Sequence, residues 1–191
     1  MRVLVVGAGA IGGYFGGRLL QAKRDVTFLV RARRAAQLAK TGLVIRSRLG
    51  DVEIPSPPAV QADSLQEKFD LILLSCKSYD LDDAIRSFAP AVGPGTAILP
   101  LLNGMRHIDT LEATFGSEAV LGGHCLISTA LDAEGRIHHL NDFHVITFGE
   151  RGAPTSDSAP SRAAIERVPS IPGRLSDPRG QSATTRDSAR D

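Results

Sequence analysis

The sequence predicts an α/β domain built as a doubly wound parallel sheet. Three observations predict it. Residues 3–6 are an apolar run that meets Gly7-x-Gly9-x-x-Gly12 and then an amphipathic segment. Short apolar runs alternate with helical patterns from residue 25 to residue 115. The run at 70–75, DLILLS, is apolar almost throughout, as a parallel strand buried on both faces should be.

Composition narrows the class. A chain of 191 residues allows one ordinary domain, or one domain with a fragment. An apolar fraction of 42% suffices for a buried core. A net charge of +1 offers no broad attraction to nucleic acid or an anionic membrane. No apolar stretch approaches the roughly 20 residues that span a bilayer. The start of the chain is short in apolar residues, broken by glycine, and unlike a signal peptide. The chain is therefore expected to be cytoplasmic, with no nucleic-acid or membrane partner. Cys76 and Cys125 stand alone in apolar segments and are expected to be buried, reduced thiols.

Taken in order, residues 2–6 form the first strand and Gly7 to Gly12 the turn after it. Gly7 lets the chain leave the strand sharply, Gly9 lets a pyrophosphate approach the backbone, and Gly12 lets the next helix sit close to the sheet. The first N–H groups of that helix lack internal partners and point where phosphates would lie. This is the order of a dinucleotide-binding loop, which predicts a Rossmann-type sheet; a glycine-rich turn in some other α/β domain is the alternative. In the helix, Ile11, Phe15 and Leu19 form an apolar face with Arg18 and Gln21 off it. Gly12 and Gly16 share a face, which is expected to pack tightly on the sheet or lie under the cofactor; a loose first turn is the plainer alternative.

Residues 25–30, DVTFLV, read as the second strand. In an NAD site an acidic residue near its end would hold the ribose 2′-hydroxyl. Here Arg31, Arg33 and Arg34 crowd together instead. Arginine at this place pairs with a 2′-phosphate, so the pattern prefers NADP. Basic residues at a helix start also oppose the macrodipole, which a bound anion would relieve. A solvated basic helix start is the alternative. Residues 33–40 read as a short helix stopped at Gly42. Residues 43–48 and 52–54 read as a hairpin around Gly50-Asp51, closed off by Pro55, Pro57 and Pro58. Ser64 and Glu67 have the spacing of a capping box.

After the strand at 70–75 comes Lys77, at the carboxyl edge where ligands of open α/β sheets bind. A surface lysine at a helix start is the competing reading. Residues 80–89 read as a helix, acidic at its start as the macrodipole favours. Residues 96–102 read as a strand running into Asn103-Gly104. Asn103 is placed to hydrogen-bond a ribose or carboxamide, or merely to form a left-handed turn. Residues 105–115 read as a helix and 119–130 as a strand with Ser128 near its end. Residues 136–140 and 144–148 read as closing antiparallel strands around Asn141-Asp142. The five histidines show no ligand spacing, so no metal is expected, and no nucleophile motif is visible.

Together these residues resemble the N-terminal domain of the ketopantoate reductase (2-dehydropantoate 2-reductase) family. The matching pieces are VLVVGAGAIGGYFGGRL, Arg31 after the second strand, LLSCKSYDL around Lys77, PLLNGM around Asn103, and GGHCLISTALDAEGRIHHL. The likeness covers residues 1–150, a single NADP-binding domain. That family reduces 2-dehydropantoate to pantoate with NADPH, on the route to pantothenate. The resemblance implies that Gly7, Ala8, Gly9, Ala10, Ile11 and Gly12 hold the pyrophosphate and Arg31 the 2′-phosphate. It implies that Lys77 and Asn103 border the nicotinamide, Asn103 also the substrate, and that Ser128 lines the cofactor. The substrate would be a small keto acid.

The family also has a helical second domain that supplies a lysine proton donor. That match fails here, because Lys77 is the last lysine in the chain. Residues 151–191 carry five prolines, seven serines, seven arginines and no aromatic residue, and are expected to be a disordered or aberrant tail. The break reads as truncation or frameshift of the family pattern, with no catalytic residue assigned within the chain. Little reductase activity is then expected of the chain alone, and the face a second domain would cover is expected to dimerise or aggregate. Three roles stand at this point: a reductase by lineage, a non-catalytic NADP-binding module, and a fragment that completes a site with another chain.

Overall fold

The computed structural model describes residues 1–151; apart from Arg151, the expectation for the tail lies outside the described residues. The first half runs β1 (Arg2–Val6), α1 (Ala10–Gln21), β2 (Asp25–Leu29), α2 (Ala32–Thr41), β3 (Leu43–Arg46), β4 (Val52–Ile54) and β5 (Ala59–Val60). The second runs β6 (Leu71–Leu74), α3 (Leu81–Phe88), β7 (Ala97–Pro100), α4 (Arg106–Phe115), β8 (Gly122–Leu126), β9 (Thr129–Leu131), β10 (Ile137–His139) and β11 (Val145–Gly149).

The central sheet is parallel throughout, in the order β5-β2-β1-β6-β7. Side chains alternate across a strand, and β1 uses both faces. Val3 and Val5 enter a core shared with Tyr14, Phe15 and Leu19 of α1 and Leu38 of α2. Leu4 and Val6 enter a second core with Ile85 and Phe88 of α3 and Ile108 and Leu111 of α4. Burial on both sides is why β1 and β6 read as unbroken apolar runs. No described helix is long and apolar enough to cross a membrane.

A second sheet, β4-β3-β10-β9, lies across α1 from the first. The helix is therefore the middle of three layers, and its glycines mark both contacts. A Cβ on Gly12 would strike the Gly7 carbonyl and Ser75, and one on Gly16 would strike the Phe28 ring. A Cβ on Gly13 would strike Ile137, and one on Gly17 would strike Ile45 and Leu43. Gly12 and Gly16 thus pack on the central sheet. Gly13 and Gly17 admit the second.

The same layer corrects the expectation for Arg18. Far from lying off the packed face, Arg18 is only 3% exposed. Its Nη2 donates to the Gly50 carbonyl at 2.7 Å, and its guanidinium lies over the Tyr14 ring. Beside it, the Tyr14 hydroxyl meets His139 and His144, and the Ser47 hydroxyl lies 2.8 Å from His139 Nδ1. These histidines serve a buried polar cluster under the second sheet.

Four further expectations change. The strand expected at 119–130 is two strands in different sheets, β8 pairing with β11 and β9 with β10. The strands expected at 136–140 and 144–148 do not pair with each other; β10 runs between β9 and β3, parallel to β3. The cause is local. Asn141, expected to form their turn, instead accepts from the Ser128 N–H at 3.1 Å, while Leu140 N–H donates to the Ser128 carbonyl at 2.9 Å. The capping box is absent: Ser64 ends a short 3-10 turn, and the Glu67 carboxylate pairs with Arg2. Finally, the proline-rich connector delivers an extra edge strand, β5, too short for a periodicity to reveal.

Candidate functional site

A cavity of about 780 Å³ opens at the carboxyl ends of β1, β2 and β6. Its floor is the glycine turn. Gly7 has φ +93, a value that side chains rarely tolerate, and its N–H donates to the Leu29 carbonyl at 2.9 Å. The Ser75 hydroxyl donates to the Val6 carbonyl at 2.9 Å, tying the turn to the end of β6. A Cβ at Gly9 would meet nothing within 4 Å, so its bareness serves the open space and not the packing. Gly9 is the N-cap of α1 and no side chain caps it. The N–H groups of Ala10, Ile11 and Gly12 therefore lack intrahelical acceptors.

The second wall is the start of α2, whose first turn holds no acidic residue. Arg31 is its N-cap, with a side chain 70% exposed. Its Nη2 donates to Asp80 Oδ1 at 2.7 Å and lies 3.8 Å from Asp83 Oδ2. The Asp80 hydrogen bond, followed by its charge, raises the Arg31 pKa. Arg34 does something different. Its Nε donates to the Ala8 carbonyl at 2.8 Å, and its Nη1 donates to Gln37 Oε1 at 2.6 Å and to the Gly135 carbonyl at 3.1 Å. It thereby joins the glycine turn, α2 and the β9–β10 turn. Its Nη2 is buried without a hydrogen-bond partner, and burial lowers its pKa.

The lining is acidic as well as basic. Asp63, Asp80, Asp83 and Asp132 belong to it, with Cys76. Arg136 and His138 both donate to Asp132, and those bonds hold its carboxyl well below the usual range. Cys76 and Cys125 are free and half-buried. Burial, with a smaller effect from Asp80, pushes the Cys76 thiol up to about 11, so it carries little thiolate at neutral pH.

Of the residues singled out from the sequence, Gly7, Ala8, Gly9 and Arg31 line the cavity together with Arg33 and Arg34. Ala10, Ile11 and Gly12 lie just behind, in the first turn of α1. Lys77 and Asn103 follow β6 and β7, neighbours paired through Leu74 and Pro100. Both are exposed on the carboxyl edge, outside the cavity lining. Ser128 sits between β8 and β9, also outside it. Sequence reasoning missed the four acidic residues as site residues. Asp80 was legible only as a helix-start acid, because nothing local reveals that it reaches Arg31.

The Ketopantoate reductase PanE/ApbA family model matches residues 3–152. The chain belongs to the ketopantoate reductase family. It is 47% identical over 150 residues to YkpB, an uncharacterized oxidoreductase of Bacillus subtilis, covering 78% of this chain and 49% of that one. Its fold is similar to that of 2-dehydropantoate 2-reductase from Geobacter metallireducens, with a TM-score of 0.71 and 32% identity over 78% of this chain and 49% of the other. It is also similar to D-mandelate dehydrogenase solved with NADH and anilino(oxo)acetate, with a TM-score of 0.73 and 25% identity over 81% of this chain and 50% of the other. The chain thus spans about half the length of the relatives it matches.

Proposed function

We propose that residues 1–150 form the NADPH-binding domain of a 2-keto acid reductase, with 2-dehydropantoate as the substrate and pantoate as the product. The observation that carries this is the cavity floored by Gly7, Ala8 and Gly9 and walled by Arg31 and Arg34. Its features fit a dinucleotide: bare backbone at Gly9, uncapped N–H groups at the start of α1, and an exposed Arg31 just after β2. In this reading the glycine turn and the N–H groups of Ala10, Ile11 and Gly12 bind the pyrophosphate. Arg31, with Arg33 beside it, takes the 2′-phosphate.

A bound nicotinamide supplies the hydride, and the protein supplies orientation and electrostatics. Lys77 and Asn103, exposed at the carboxyl edge of neighbouring strands, border the nicotinamide. Asn103 donates from its side-chain amide toward the substrate, and Ser128 closes the cofactor side. The reading is of a cytoplasmic enzyme acting on a small molecule.

Titration of the 191-residue chain with NADPH and NADH, followed by nucleotide fluorescence, tests it. Saturable binding that favours NADPH is expected. Arg31→Ala should weaken NADPH roughly tenfold and leave NADH nearly unchanged, the scale of one charge-assisted hydrogen bond. Saturable binding of neither nucleotide would overturn the proposal, and equal binding of both would overturn the 2′-phosphate assignment.

A further inference from the structure

The cavity lining carries both signs of charge. Arg31, Arg33 and Arg34 share it with Asp63, Asp80, Asp83 and Asp132. Arg34 is committed to the Ala8 and Gly135 carbonyls, and Arg31 is bound to Asp80. The cation best placed for a 2′-phosphate therefore already has an anion on it. Asp83 is farther away and also pairs with Arg86, so its charge is shared.

We propose that Asp80 is a specificity-determining residue that competes with the cofactor's 2′-phosphate for Arg31. This rests on the dinucleotide reading above. A phosphate approaching Arg31 must either displace the Asp80 carboxylate or sit within a few ångströms of it, and like charges at that range repel. A ribose bearing only a 2′-hydroxyl meets no such repulsion and donates to the same carboxylate. Asp80 thus narrows the discrimination that Arg31 creates. The side chain of Asp80 makes no capping hydrogen bond to α3, so its charge can be removed without loss of a cap.

The test uses the full chain and its Asp80→Asn and Asp83→Asn variants, titrated with NADPH and with NADH at low and high salt. Asp80→Asn is expected to raise the ratio of NADPH to NADH affinity about five- to tenfold at low salt. The gain should shrink at high salt, where exposed charges are screened. Asp83→Asn should raise the ratio less. An unchanged or lowered ratio in Asp80→Asn, with nucleotide binding intact, overturns the inference alone. An Asp83→Asn effect as large as that of Asp80→Asn overturns the assignment to Asp80. Failure of the unaltered chain to bind either nucleotide overturns the dinucleotide reading and this inference with it.

Discussion

The two flanks of the central sheet are packed by different means. On the α3–α4 side the contact is a plain apolar layer, with Phe88 fully buried and stacked on Phe115 at 5.2 Å between ring centroids. On the α1 side a second sheet presses the helix from outside, and glycines occupy the contact positions on both faces. The first flank derives its stability from side-chain volume. The second combines fully buried rings, Tyr14, Phe15 and Phe28, with glycines at the points of closest approach, and it places the backbone of the glycine turn close enough to β6 for Ser75 to hold it. The flank with glycines at its contacts is also the one that forms the cavity floor. Close approach and open space fall to different glycines of one segment, Gly12 and Gly16 to the first and Gly9 to the second.

The contrast can be broken by substitution. The largest loss is expected for Phe88→Ala, about 3–5 kcal/mol by urea denaturation, because an aromatic removed from a close-packed layer leaves a cavity. A loss below about 1 kcal/mol would show that this flank is loosely packed. Gly16→Ala, which adds one methyl against Phe28 and Val5, should cost about 1–3 kcal/mol by overpacking. A stabilised variant, as helix propensity alone would give, would show that α1 has room.

Gly9→Ala sharpens the comparison from the other direction. Its Cβ would point into open space, so unfolding should shift by less than about 0.5 kcal/mol. Nucleotide affinity should fall on the order of tenfold, about 1.4 kcal/mol. Lost stability with intact binding would reverse the roles assigned to Gly9 and Gly16. Least of all should Ser64→Ala matter, within about 0.5 kcal/mol, since the hydroxyl caps no helix N–H. A cost near 1 kcal/mol would restore the capping box.

How legible was this in the sequence? Strands β1, β2, β6 and β7 were readable because each carries its pattern within a few consecutive residues. The glycine turn and Arg31 were readable for the same reason. The second sheet was not. β10 lies parallel to β3, and contacts such as Ser47 with His139 join residues 92 apart. Nothing in a local window sets that register. The misplacement of Arg18 followed directly: a helix judged to have one buried face has two once a second sheet covers it. Asp80 illustrates the point at the site. Its helix-start position was visible, but its reach to Arg31, 49 residues away, was not.

The sequence by itself determined that this chain forms a parallel α/β sheet with a glycine turn at its first crossover, because hydrophobic period and backbone freedom are local properties. It also placed a cluster of arginines, Arg31, Arg33 and Arg34, directly after the second strand. Only the tertiary structure decided that α1 is a middle layer, that Arg34 ties the turn to a distant hairpin, and that Arg31 lies against an aspartate. Those outcomes depend on which strands become neighbours. That choice is made by packing across the whole domain and leaves no periodic trace in any one segment.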